Sequence, residues 1–242
     1  MGFRLRLRRP ASIPGLLNTQ EPQYVTISIN DEQRVSGLLQ VPKEARACYV
    51  MAHGAGAGMA HPFMTEIANG LAECHIATLR YQFPYMERGS KRPDSPDVAH
   101  AAVRTAVIEA ARLVPGIPLF AGGKSFGGRM TSQAQAISPL AGVRGLVFLG
   151  FPLHPPGQPS QERGKHLFNV RIPMLFLQGS RDEFAKLELL QSVCQQLGAK
   201  TTLNIFQDAD HSFHVPARSG RKDSEVKKDL LKVFEEWIGA VA

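Results

Sequence analysis

The stretch Ala121-Gly-Gly-Lys-Ser-Phe-Gly-Gly-Arg-Met130 contains both Gly-Lys-Ser and Gly123-x-Ser125-x-Gly127, which belong to two different chemistries. A phosphate-binding loop of the Gly-x-x-x-x-Gly-Lys-Ser/Thr type needs a glycine five residues before Gly123, and that position is Pro118. Gly-x-Ser-x-Gly is the spacing of a nucleophile elbow, in which glycines permit a sharp turn that exposes the serine hydroxyl. The sequence therefore predicts a nucleophile, Ser125, and no phosphate site.

The segments around this turn alternate short apolar runs with helical patterns, which is typical of βαβ units. A strand is expected at residues 119–122 before the turn, and a helix at residues 126–137 after it. Further strands are expected at residues 24–30, 34–41, 48–52, 76–81, 146–150, 174–179 and 201–206, and further helices at residues 62–74, 97–113, 186–197 and 224–241. An antiparallel hairpin followed by repeated βα units predicts an α/β fold with one mostly parallel, doubly wound sheet. Its functional loops should lie at the carboxyl ends of the strands.

Length and charge indicate how the chain is organised. With 242 residues, of which 43% are hydrophobic, the sequence can bury the core of one α/β domain, expected at residues 23–242. The formal net charge is +7, and part of it lies in a basic N-terminal arm, residues 1–22, with Arg4, Arg6, Arg8 and Arg9. The arm is expected to be disordered or to lie at an edge, with a targeting segment as the alternative.

Cysteine usage and hydropathy bear on compartment and cofactors. Cys48, Cys74 and Cys194 are widely spaced among apolar neighbours, so buried thiols in a reducing compartment are expected rather than metal ligands or disulfides. No apolar run approaches the roughly 18 residues that a membrane helix needs. We therefore expect a soluble, cytoplasmic protein with no metal or cofactor. The basic charge favours anionic surfaces in a general way and indicates no specific nucleic acid partner.

A serine hydroxyl needs a base to take its proton and an acid to orient that base. Asp182 follows the strand expected at residues 174–179, and His211 follows the last expected strand, so both come at carboxyl ends of strands. The order Ser, Asp, His fits a hydrolase and predicts the triad Ser125, Asp182 and His211. The sequence leaves open His214 as the base, and Glu183, Asp208 or Asp210 as the acid.

The tetrahedral intermediate of acyl transfer also needs backbone donors for its oxyanion. The N–H of Phe126 follows the nucleophile directly. A second donor is expected from the loop His53-Gly-Ala-Gly-Ala-Gly58, where Ala55 is the first candidate and Gly56 the next. A dinucleotide-binding loop is the competing interpretation of these glycines, but no Gly-x-Gly-x-x-Gly occurs in the chain.

On these motifs the chain resembles members of the α/β-hydrolase family, and more narrowly the dienelactone-hydrolase-like branch and related predicted serine hydrolases. The resemblance runs from about residue 24 to the end of the chain. The segments that show the resemblance are His53–Gly58, Gly123–Arg129, Gly150–Gly157, Gln178–Asp182 and Asp210–His214. It implies the same nucleophile, acid and base. Dienelactone hydrolases have a cysteine where this chain has serine, so dienelactone itself is not the expected substrate.

The residues that contact the substrate can be inferred only from their positions relative to the strand ends. His53, Gly54, Arg80, Phe151 and His154 come at or near strand ends and are expected to line the pocket. Arg80, together with the basic residues of loop 83–96, could bind a substrate carboxylate; a solvated basic loop is the alternative. About two dozen residues separate the strands expected at 146–150 and 174–179, too few for a helical lid.

The sequence as a whole predicts a serine hydrolase that cleaves a small-molecule carboxylic ester or thioester through an acyl-enzyme. The alternative is a non-catalytic interaction module on the same scaffold, which would use its basic arm to meet an acidic partner; some relatives of this branch are subunits of larger assemblies. The oligomeric state is not predicted by any feature of the sequence.

Overall fold

A computed structural model describes residues 19–242 of the chain, so the expectations for Arg4, Arg6, Arg8 and Arg9 lie outside the described residues. The strands are β1 Thr19–Ser28, β2 Arg34–Val41, β3 Ala47–Ala52, β4 Ile76–Tyr81, β5 Leu119–Lys124, β6 Val143–Leu149, β7 Met174–Gly179 and β8 Thr201–Phe206. The α-helices are α1 Pro62–Glu73, α2 Pro84–Glu87, α3 Pro96–Leu113, α4 Phe126–Ile137, α5 Leu187–Leu197 and α6 Asp223–Val241. Three 3₁₀ helices cover Glu162–Asn169, Gly198–Lys200 and Ala217–Ser219.

Within residues 19–242 the strands form one eight-stranded sheet in the order β1-β2-β4-β3-β5-β6-β7-β8. The pairs β1/β2 and β2/β4 are antiparallel, and every other neighbouring pair is parallel. Strand order reverses where β3 lies between β4 and β5, so the loops after β3 and β5 meet at the carboxyl edge. The mostly parallel sheet with an antiparallel N-terminal hairpin confirms the predicted fold class.

Both faces of the sheet are covered, because side chains alternate between two apolar layers along each strand. In β3, Cys48 and Val50 belong to the apolar layer that includes residues of α3, α4 and α5, whereas Tyr49 and Met51 belong to the layer that includes residues of α1 and α6. Every residue of β3, β4 and β7 is buried, and the strand sequences are mostly apolar, with Thr78, Arg80 and Gln178 as buried polar exceptions.

The structure differs from the sequence prediction mainly at element ends. Strand β1 begins at Thr19, within the stretch assigned to the N-terminal arm, and continues through Pro22. Proline is tolerated there because β1 is an edge strand, and the pairing with β2 is irregular between Thr19 and Gln23. The helix Pro84–Glu87 and the 3₁₀ helix Glu162–Asn169 were not predicted, since neither is long enough to show an apolar period.

Two further predictions can be compared with the fold. The connection from β6 to β7 contains only the 3₁₀ helix Glu162–Asn169, so no helical lid is built there, as predicted. Cys48 and Cys194 are buried free thiols, but Cys74, at the end of α1, is partly exposed, which corrects the expectation for that residue. None of the helices in residues 19–242 is long and apolar enough to cross a membrane.

Candidate active site

Ser125 occupies the sharp turn between β5 and α4. Its φ is 48°, in the left-handed region that a non-glycine residue adopts only where the surroundings enforce it. Close packing enforces it here: a Cβ on Gly127 would lie 2.6 Å from the carbonyl oxygens of Ala52 and His53. The turn is therefore a strained strand-to-helix elbow that presents the Ser125 side chain at the carboxyl edge of the sheet.

His211 and Asp182 form a direct pair beside this turn. Nδ1 of His211 lies 2.7 Å from Oδ2 of Asp182, whose side chain is fully buried. The carboxylate also accepts hydrogen bonds from Nε2 of Gln178 at 2.5 Å and from the N–H of Phe184 at 2.8 Å. A carboxylate that only accepts makes Nδ1 the protonated nitrogen and leaves Nε2 as the basic one.

The environment of His211 keeps its ring neutral. Burial lowers the pKa of His211, the hydrogen bond that the ring donates to Asp182 opposes that shift, and the charge of Lys124 lowers the pKa further. The ring of Phe184 covers the imidazole, with 4.4 Å between centroids. A neutral imidazole held by a buried carboxylate is suited to general base catalysis.

Ser125 and His211 line the same cavity, whose volume is about 570 Å³. The loop after β3 contributes Gly54 and Ala55 to its wall. The apolar part of the lining comes from Ala57, Pro62, Phe63, Met64 and Phe184. The ionisable side chains of the lining are His61, Glu66, Lys124, His211, His214, Asp223 and Lys227.

The backbone N–H groups around Ser125 differ in whether they have a hydrogen-bond acceptor. The N–H of Gly56 donates to the hydroxyl of Tyr85 at 3.1 Å. The N–H groups of Ala55 and Phe126 donate to no atom of residues 19–242. Of the two loop candidates for an oxyanion donor, the structure thus leaves Ala55 free and Gly56 engaged. The side chain of Phe126 packs edge-on against Phe83, with 5.3 Å between centroids.

Two histidines expected in the pocket hold loops instead. His53 is fully buried, with Nδ1 2.7 Å from the Gly54 carbonyl oxygen and Nε2 accepting the N–H of Phe83 at 3.1 Å. Burial lowers the pKa of His53 to about 4, so the ring is neutral. His154 likewise accepts the N–H of Lys186 at 2.7 Å. Neither ring lines the cavity, which corrects the expectation for both residues.

Arg80 and Phe151 also lie away from the cavity. Arg80 is 1% exposed, and its Nη1 donates to Oγ1 of Thr65 at 2.8 Å, under helix α1. Phe151 is fully buried, and its ring packs against Phe148 with 5.2 Å between centroids. The proposed carboxylate-binding role of Arg80 is corrected accordingly, because its guanidinium faces protein atoms on α1 and the loop before it.

Two of the alternative residues, His214 and Asp210, have other partners. His214 is 71% exposed at its side chain and pairs with Asp223 of α6. Asp210 accepts the N–H groups of Ser212 and His214, which closes its own loop. Glu183 is exposed. Across residues 19–242, no group of three or more His, Cys, Asp and Glu side chains is arranged to hold a metal ion.

Sequence reasoning missed the part of the cavity that comes from α1 and α6. Phe63 and Met64 lie on α1, and Lys227 lies on α6, where its Nζ pairs with Oε2 of Glu66 at 2.6 Å. Helices α1 and α6 pack on each other although they are far apart in the chain: the paired residues Glu66 and Lys227 are separated by 161 positions. A helical period indicates a buried face, but it does not show which end of that face reaches a site.

Comparisons with known proteins agree with this fold. A family model described as an alpha/beta hydrolase domain matches residues 45–239. Similar solved structures include a dienelactone hydrolase from Anabaena variabilis, with 21% identity, a TM-score of 0.74 and coverage of 91% of this chain and 99% of that one. A serine hydrolase without a lid from Xanthomonas campestris has 20% identity, a TM-score of 0.71 and coverage of 92% and 97%.

A third similar structure is an alpha-beta serine hydrolase homologue from Coxiella burnetii, with 19% identity, a TM-score of 0.71 and coverage of 90% of this chain and 99% of that one. At such identities the solved structures establish the fold alone. The family match and these structures confirm the resemblance inferred from the sequence motifs.

Proposed function

This chain belongs to the alpha/beta hydrolase family, and we propose that it is a serine hydrolase that cleaves a carboxylic ester or thioester through an acyl-enzyme. Ser125 is the nucleophile, His211 the general base and Asp182 the residue that orients the base. Ala55 and Phe126 supply the backbone N–H groups of the oxyanion hole. The substrate is a small molecule.

One observation carries the proposal: the buried Asp182–His211 pair, at 2.7 Å, adjoins the cavity into which the strained Ser125 turn opens. Each feature alone has a structural explanation, such as a loop histidine that pairs with a carboxylate. Their convergence at the carboxyl edge of the sheet gives a nucleophile, a neutral base and an orienting acid at one cavity wall.

The reaction follows from the protonation states. Nε2 of His211 takes the hydroxyl proton as Oγ of Ser125 attacks the acyl carbon, and Asp182 stabilises the imidazolium that forms. The N–H groups of Ala55 and Phe126, which have no acceptor in the described part of the chain, donate to the developing oxyanion. His211 then returns the proton to the leaving alcohol or thiol. Water, activated by the same imidazole, releases the acid and restores Ser125.

The cavity favours a modest, uncharged acyl or aryl group. Its volume of about 570 Å³ is in the range of small-molecule sites. Phe63, Met64 and Phe184 give it an apolar surface. The charges at its rim are paired with one another, as in Lys227 with Glu66 and His214 with Asp223. The short connection after β6 leaves the cavity open, as in the Xanthomonas campestris hydrolase described as having no lid.

The experiment is a panel of p-nitrophenyl esters of increasing acyl length with matched thioesters, run on the wild-type protein and on Ser125→Ala. We expect turnover of the shorter members, a mass increase of one acyl group on Ser125 at early times, and loss of both in the variant. Turnover that survives in Ser125→Ala would contradict the assignment of the nucleophile.

A further inference from the structure

Lys124 connects the nucleophile turn to the loop of the base. It is the last residue of β5 and directly precedes Ser125. Its Nζ donates to the main-chain carbonyl oxygen of His211 at 2.5 Å, a contact between residues 87 positions apart in the chain. The segment that carries the nucleophile therefore also holds the backbone of the general base.

The surroundings of the Lys124 ammonium are apolar on two sides. Nζ lies 5.8 Å from the ring centroids of both Phe63, on α1, and Phe213, in the loop of His211. Gly150 closes a third side, since a Cβ there would lie 2.9 Å from Nζ and 3.3 Å from the His211 ring. An ammonium enclosed in this way keeps few water contacts, so its direct hydrogen bond is energetically important.

The charged groups that face Lys124 are Asp182, the partner of His211, and Asp210, in the loop of His211. Burial lowers the pKa of Lys124 to about 8, and the carboxylates of Asp182 and Asp210 partly oppose this shift. The same ammonium lowers the pKa of His211. Of the other ionisable groups of the cavity lining, Glu66 of α1 pairs with Lys227 of α6, and His214 pairs with Asp223 of α6. The remaining one, His61, precedes α1 and accepts the N–H of Phe63.

We propose that Lys124 is a positioning residue for the reaction: its ammonium anchors the main chain of His211 and places a positive charge next to the His211 ring. This inference rests on the proposed roles of Ser125 and His211. The hydrogen bond that His211 donates to Asp182 fixes the orientation of the imidazole, and the hydrogen bond that Lys124 donates fixes the backbone that carries it. The two contacts involve different atoms of His211, and together they restrain the position of its Nε2 at the cavity that Ser125 also lines.

The test uses Lys124→Met, which retains the length of the side chain and removes the charge and the donor, and Lys124→Gln, which retains a polar end. Lys165→Met is the matched control, because Lys165 is 70% exposed on the 3₁₀ helix Glu162–Asn169 and pairs with Glu162. NMR of histidine side chains, assigned with His211→Gln, follows the titration of the His211 ring. Activity is measured with p-nitrophenyl acetate as a function of pH.

We expect the His211 titration in both Lys124 variants to move to higher pH, together with the acid limb of kcat/KM. In Lys124→Met, kcat should fall roughly tenfold to a hundredfold with little change in KM, because the base is displaced. The Lys165 variant should match the wild type in the His211 titration, in the acid limb of kcat/KM, and in kcat and KM. A folded Lys124→Met variant with an unchanged His211 titration would overturn the proposal, and so would one with wild-type kcat.

The unmodified protein gives an independent readout. The main-chain carbonyl signal of His211 should show a second titration step as Lys124 loses its proton, near pH 8. A His211 carbonyl signal that responds only to titration of the His211 ring would contradict the contact with Lys124. Since neither NMR experiment needs a substrate, both remain decisive if the protein hydrolyses none of the esters, which would count against the proposed function alone.

Discussion

The hydroxyl of Tyr85 accepts the N–H of Gly56 at 3.1 Å and thereby fixes the loop that carries the free N–H of Ala55. Tyr85 is 1% exposed, and its own N–H donates to Asp94 at 2.7 Å, so the ring is itself held in place. The loop rich in glycine and alanine has little side-chain packing of its own. The proposed oxyanion hole is therefore held in part by this tyrosine.

Tyr85→Phe should lower kcat about tenfold while leaving KM nearly unchanged. The substitution removes the acceptor of the Gly56 N–H, so the oxyanion loop loses a constraint that matters in the transition state. Steady-state kinetics on a p-nitrophenyl ester measure the effect. Tyr24→Phe, on exposed edge strand β1, is the control and should behave as wild type. Equal kinetics for both variants would remove Tyr85 from this role.

Asp182→Asn should lower kcat about 10⁴-fold in a folded protein, because the amide can donate to Nδ1 and favour the wrong tautomer of His211. Glu183→Gln is the matched control, since it alters the exposed neighbouring carboxylate. Kinetics and circular dichroism of both variants are the measurements. A large loss in Glu183→Gln with little loss in Asp182→Asn would assign the acid to Glu183.

The pH dependence follows from His211. Catalysis needs the neutral imidazole, so kcat/KM rises as pH increases through the His211 pKa of the free enzyme. Burial lowers that pKa below the ordinary value of 6.5, so the acid limb should have its midpoint below pH 6.5. A pH profile of kcat/KM checks this. An acid limb centred above 6.5 would show that the ring is stabilised in its charged form.

Gly127→Ala should destabilise the fold by about 3 kcal/mol, because the added Cβ would lie 2.6 Å from two backbone carbonyl oxygens that cannot rotate away. Urea unfolding measures the change in free energy. Gly239→Ala is the control: it lies in α6 with no atom within 4 Å of the new Cβ, and should stabilise by up to about 1 kcal/mol. Equal stability of the Gly127 variant and the wild type would contradict the tight elbow.

The sheet was predictable because buried strands and amphipathic helices leave a period in the sequence, and β4, α4, β7 and β8 have the predicted bounds. Asp182 and His211 were predicted to meet because the carboxyl ends of neighbouring parallel strands share an edge. Their pairing at 2.7 Å agrees with that prediction.

Side-chain direction was not predictable in the same way. Arg80, His53 and His154 lie near strand ends, yet packing turns each of them toward backbone or buried atoms rather than toward the cavity. The anchoring of His211 by Lys124 depends on a contact between distant segments, for which the sequence has no periodic signal. Position along a strand predicts nearness to the site, whereas burial decides which side chains face it.

The most direct test of the central claim is labelling of the wild-type protein with a fluorophosphonate probe, beside Ser125→Ala and His211→Ala, with mass spectrometry of the labelled peptide. We predict label on Ser125 in the wild type and none in either folded variant, because the hydroxyl reacts only when His211 takes its proton. A folded wild-type protein that takes up no label, or label on another residue, would contradict an activated Ser125 and favour a non-catalytic interaction module on this scaffold.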